Sequence, residues 1–83
     1  MSCETTDIVL DRPLMVDGTE VTTVRMREPT VQDQIAASEV KGSPARQEIA
    51  MIANLCEITP DMVRQLSLRD YKKLQQAFLG FTE

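Results

Sequence analysis

The chain has 83 residues, 42% of them apolar, with two Phe, one Tyr and no Trp. That length suits one domain with an aliphatic core, burying only about 60–65% of the surface its unfolded form exposes. Thirteen acidic against nine basic side chains give a net charge of −4, a field that repels a phosphate backbone and disfavours nucleic acid as a partner.

Histidine is absent, so conventional Ser-His and Cys-His catalysis has no general base. The two cysteines, Cys3 and Cys56, stand more than fifty positions apart. A zinc site would have to recruit carboxylates, and no disulfide spacing is present; a reduced, cytoplasmic setting is expected. Gly18, Gly42 and Gly80 are too scattered for a phosphate-binding loop. The start of the chain is acidic and lacks the basic and long apolar regions of a signal peptide. No apolar stretch approaches the roughly twenty residues needed to cross a bilayer.

In chain order, the first third reads as strand and turn. Ile8-Val9-Leu10 is a short β-branched run, Pro13 interrupts it, and Leu14-Met15-Val16 leads into Asp17-Gly18, a strong hairpin-turn signal. A second strand runs from about Val21 to Met26, with Thr22, Val24 and Met26 on one face and Thr23, Arg25 and Arg27 on the other. Val21 breaks that alternation, which predicts a bulge or longer loop near Thr19-Glu20.

Helices follow. Thr30-Val31-Gln32-Asp33 has the Thr-x-x-acid form of a capped N-terminus and opens a helix to about Val40, stopped by Gly42. Ser43-Pro44 caps a second helix to about Glu57, the most apolar segment. Its Ala45, Ile49, Ile52 and Cys56 form one stripe, widened by Met51 and Leu55 on one side and Ala53 on the other. Thr59-Pro60-Asp61 opens a short third helix through Leu66, with Ile58 and Val63 as a hydrophobic staple. Ser67-Leu68-Arg69-Asp70 opens the last, where Tyr71, Leu74, Phe78 and Phe81 make one seam and Leu68 and Leu79 project away. Gly80 is expected to loosen or end it, leaving residues 81–83 to fray. The expected fold is α+β, mostly α: residues 1–83 as a single domain, with a hairpin at about 8–27 packed on three or four short helices at about 30–81.

Candidate reactive groups have plainer explanations. Asp33, Asp61 and Asp70 all sit in first helical turns, where a carboxylate stabilises the helix dipole by about 0.3–1 kcal/mol without any catalytic role. Cys56 on an apolar stripe reads as a core thiol. No catalytic residue, metal ligand or cofactor is expected.

The run Val24-Arg25-Met26-Arg27-Glu28-Pro29-Thr30-Val31-Gln32-Asp33, preceded by Asp17-Gly18, resembles a family signature of strand, Arg-Glu-Pro-Thr, and a helix opening with Asp. Glu48 to Pro60, with its Ile-Ala-Met-Ile-Ala-Asn-Leu and Ile-Thr-Pro, and Leu66 to Gln75, with its Leu-Ser-Leu-Arg-Asp-Tyr, are similar to later parts of the same pattern. The family is that of the phage tail assembly chaperones, of the Mu-like and P2-like type found in contractile-tailed phages and prophages, and the resemblance runs from about Leu10 onward. Glu57 departs from it, standing where the family often has glycine.

The resemblance implies a non-catalytic protein that binds the tape measure protein and keeps it soluble until tail tube subunits polymerise around it. The tail tube protein and a longer, frameshifted form of the chain itself are further implied partners. The implied place is the bacterial host cytoplasm, not the mature virion, with neither nucleic acid nor membrane involved. Arg27, Glu28, Pro29, Thr30 and Asp33 carry the motif and read as structural. Helical geometry alone, with no family motif, points to Met51, Leu55, Leu79 and Phe81 as the partner-binding surface. The competing readings are a small acidic regulator, antitoxin-like or DNA-binding, and a minor structural component of the tail.

Overall fold

The computed structural model describes residues 4–82. The sequence reading of Met1–Cys3 and the end position of Glu83 lie outside the described residues. Two antiparallel strands, β1 (Thr5–Val16) and β2 (Thr19–Arg27), precede four helices: α1 (Val31–Ser38), α2 (Pro44–Cys56), α3 (Pro60–Gln65) and α4 (Leu68–Thr82). The hairpin turns at Asp17 and Gly18, with φ of 50° and 79°. Two successive positive φ values are what a type I′ turn needs to match the twist of its strands.

One face of the hairpin supplies Ile8, Leu10, Leu14, Val24 and Met26 to the core, and the helices supply Ile52, Ala53, Leu55, Cys56, Val63, Leu66 and Leu74. Met26 and Leu74 are fully enclosed, each worth about 1.5–3 kcal/mol of transfer free energy. On the outer face, Asp7 pairs with Arg25 across the strands at 3.0 Å. Both side chains there are more than half exposed, so the pair adds little to stability.

The break in alternation at Val21 is real, but its structural answer lies elsewhere than Thr19-Glu20. Thr19, Glu20 and Val21 pair regularly with Val16, Met15 and Leu14, and the irregularity falls between Val9 and Leu14 of β1, so that residues 10–13 face Thr22 alone. Pro13, which has no N–H to give a ladder, sits in this bulge. The slip lets Leu10 and Leu14 both reach the core while Thr22 stays exposed.

The helix starts follow the sequence signals. Thr30, Ser43 and Thr59 each accept a hydrogen bond from the backbone N–H three residues on, and Ser67 does so from Asp70 at 3.2 Å. α1 ends at Ser38, just short of the expected Val40. α4 does not stop at Gly80; it continues to Thr82 because Phe81 extends the seam and packs against the core.

α2 ends in a left-handed residue, Glu57, with φ 57° and ψ 39°, and the N–H of Ile58 reaches back to the Ala53 carbonyl at 3.0 Å. That geometry is the one glycine fills at least cost, so the glycine-like turn survives with glutamate in it. Replacing Glu57 by Gly is therefore expected to stabilise the fold by about 0.5–1 kcal/mol, read as a higher urea midpoint. An unchanged or lower midpoint would show that Glu57 bears no strain.

Candidate functional site

α1, α2 and α4 do not close on one another. They leave an open groove of about 550 Å³, within the range of ligand clefts, about 300–1,000 Å³. Ala37 of α1, Met51 and Ile52 of α2, and Phe78 and Leu79 of α4 line it with apolar surface, and Gln34, Gln47, Gln75 and Gln76 contribute uncharged polar groups. Leu79 is 51% exposed, and Met51 and Phe78 are half-buried. A channel of this composition suits the apolar face of a helix, which presents side chains at i, i+3, i+4 and i+7.

Two buried carboxylates position the walls. Asp33, in the first turn of α1, is 5% exposed and accepts a two-pronged contact from Arg27, Nη1 to Oδ2 and Nη2 to Oδ1, both at 2.7 Å. The Thr30 backbone N–H and hydroxyl also donate to it, at 2.8 and 2.9 Å, as does the Asn54 amide at 3.0 Å. One carboxylate thus ties the end of β2 and the start of α1 to the last turn of α2. The Arg27 guanidinium is the main reason its carboxyl is held well below the usual range, against the opposing effect of burial, with Thr30 helping.

Asp70, in the first turn of α4, has no exposed surface. Its oxygens accept the backbone N–H groups of Asp11 at 2.8 Å and Arg12 at 3.1 Å, in the β1 bulge. Lys73, one turn along, donates to the Val9 carbonyl at 3.0 Å and to Asp11 at 2.8 Å. Burial alone would push the Asp70 carboxyl up; the bulge N–H groups, Ser67 and Lys73 outweigh it and hold it below its ordinary value. The N–H groups that the bulge removes from the strand ladder therefore find their acceptor on α4, and this clasp fixes the helix that forms one wall of the groove.

A third link crosses between α2 and α4. The Tyr71 hydroxyl and the Gln75 amide both donate to Glu48 Oε1, at 2.6 and 2.7 Å. Burial, then Glu48, raise the Tyr71 phenol above its ordinary value, so it remains a proton donor at neutral pH.

Residues 7–83 match the family described as phage tail assembly chaperone proteins, E, or 41 or 14. The chain belongs to the phage tail assembly chaperone family. No curated protein and no solved structure matches it. A chaperone of this family acts in tail assembly and binds tail proteins.

The groove divides the four residues picked from the sequence as the chaperone's partner surface. Met51 and Leu79 line it. Leu55 does not: at 1% exposure it belongs to the core and offers nothing to a partner. Phe81 is half-buried against the core and lies outside the groove lining. Leu55 and Met51 lie one turn apart on the same side of α2, but the α2 residues that line the groove run from Gln47 to Ile52, and Leu55, a turn further on, is enclosed in the core. Sequence reasoning missed Phe78, the contribution of α1 and the glutamines. The signal available was the recurrence of Gln beside apolar helix positions.

Of the five motif residues, Arg27, Thr30 and Asp33 meet in the junction just described, and the N–H of Glu28 bonds the Glu4 carbonyl at 2.9 Å. Pro29 is half-buried in the short link between β2 and α1. Cys56 is buried and free, its thiol pushed up to about 11 by desolvation, which makes it a poor nucleophile. Among the described residues no group of His, Cys, Asp and Glu could hold a metal ion, and no helix is long and apolar enough to cross a membrane.

Proposed function

We propose that this chaperone binds apolar helical segments of the tape measure protein in the groove between α1, α2 and α4, and holds them soluble in the host cytoplasm until tail tube subunits assemble around them. The observation that carries the reading is the groove itself: its apolar floor and mostly uncharged polar surroundings lie open to solvent on three helices held in place by Asp33 and Asp70. The proposed role is capture through apolar area, and no chemical step is assigned to it. A net charge of −4 opposes co-aggregation of loaded complexes.

Co-expression with the large tail protein tests it. The partner is expected in the soluble fraction, co-purifying with the chain. Met51→Glu combined with Leu79→Glu places two charges on the groove floor and is expected to return the partner to the pellet. The variant itself stays folded by circular dichroism, because both positions touch solvent. A partner captured equally well by this variant would move the binding site off the groove, and an insoluble partner beside soluble wild-type chain would remove the reading altogether.

A further inference from the structure

Glu48 is the only formally charged side chain among the described residues lining the groove. Its two hydrogen bonds both fall on Oε1, which leaves Oε2 without a protein donor among the described residues. The carboxylates of Asp7, Asp11, Asp33, Asp61 and Asp70 each face a Lys or Arg within 4 Å, whereas among the described residues no such ion pair includes Glu48. Tyr71 and Gln75 nevertheless hold it in place, so a fixed and unneutralised negative charge stands beside an apolar floor.

We infer that Glu48 selects the occupant of the groove, favouring a helix that carries a lysine or arginine beside its apolar stripe. The inference rests on the groove being the capture site. Such a side chain lays its aliphatic stem along apolar surface and brings its head to a carboxylate at the edge. Oε2 is the oxygen free to receive it, and Oε1 stays bonded to Tyr71 and Gln75, so pairing requires no rearrangement of α2 or α4. The acidic balance of the chain attracts the same cation from a distance.

Three synthetic helical peptides of about 18 residues, some 27 Å long as helices, test it by fluorescence anisotropy. They share one leucine stripe at i, i+3, i+4 and i+7 and differ only in flanking Lys, Gln or Glu. At low salt the Lys peptide is expected to bind about three- to tenfold more tightly than the Gln peptide, with the Glu peptide weakest. Added salt narrows the difference. Glu48→Gln keeps an acceptor for Tyr71 and Gln75, and is expected to erase the preference for Lys over Gln. Equal binding of the Lys and Gln peptides, a preference that survives Glu48→Gln, or no binding by any of the three overturns the inference. If the large tail protein is captured and lost on Met51→Glu with Leu79→Glu, yet the peptides show no charge preference, Glu48 alone is wrong. If the tail protein is never captured, the groove reading falls first.

Discussion

Arg27→Ala is expected to lower stability by about 3 kcal/mol, because it leaves a buried carboxylate without its two charged donors. Asp33 keeps the Thr30 and Asn54 contacts, and Arg27 is itself one-third exposed, so the cost falls short of that for a wholly orphaned charge. With a urea slope of about 1 kcal/mol per molar for so small a chain, the midpoint should drop by about 3 M. Arg27→Lys should recover less than half of the loss, since a point ammonium cannot reproduce the fork that meets Oδ1 and Oδ2 at equal distance. α1 should loosen with the junction, and with it one wall of the groove. A wild-type midpoint in Arg27→Ala would show that Thr30 and Asn54 suffice.

Asp70→Ala should cost about as much, roughly 3 kcal/mol, by a different route. Two backbone N–H groups in the β1 bulge lose their acceptor, and Lys73 loses one of its two carboxylate neighbours. The local signature is hydrogen exchange: the Asp11 and Arg12 amides should lose protection even under conditions where the rest of the chain stays folded. Protected amides at these two positions in Asp70→Ala would mean that the clasp is not what holds the bulge.

The two carboxylates also set the acid limit of the fold. Both have folded-state values below those of the unfolded chain, so their stabilisation is complete above the unfolded value of about 3.9 and is lost as pH falls from there through the lower folded values. Stability attributable to them should be flat between pH 5 and 7 and fall below about pH 4. Asp70→Ala should show a shallower acid limb than wild type.

The three helix-opening acids show where sequence and tertiary structure part. Asp33, Asp61 and Asp70 each follow a capping Thr or Ser by two or three positions, and the local pattern assigns all three to helix first turns, where the structure has them. Local chemistry is enough for that, because a cap and its acid lie within one turn of chain. Nothing in the pattern separates them, yet the Asp61 side chain is 81% exposed and pairs with Arg64 on its own helix. Asp33 and Asp70 are buried and reach a strand end and a bulge; the Asp70 partners lie 58 and 59 positions away in the chain.

The same division holds for the rest of the molecule. The hairpin turn, the helix starts and the Tyr71-Leu74-Phe78-Phe81 seam were legible because each is set by spacing within a few residues, and the family was legible because its motifs are local and ordered. The placement of the bulge opposite Thr22, the full burial of Leu55 beside the half-burial of Met51, and the groove depend on how the helices pack on the hairpin. Periodicity gives the width of an apolar arc but not which part of its length is covered, and that is decided by long-range packing, with Asp70 held from 58 and 59 positions away and Asp33 reached by Asn54 from 21.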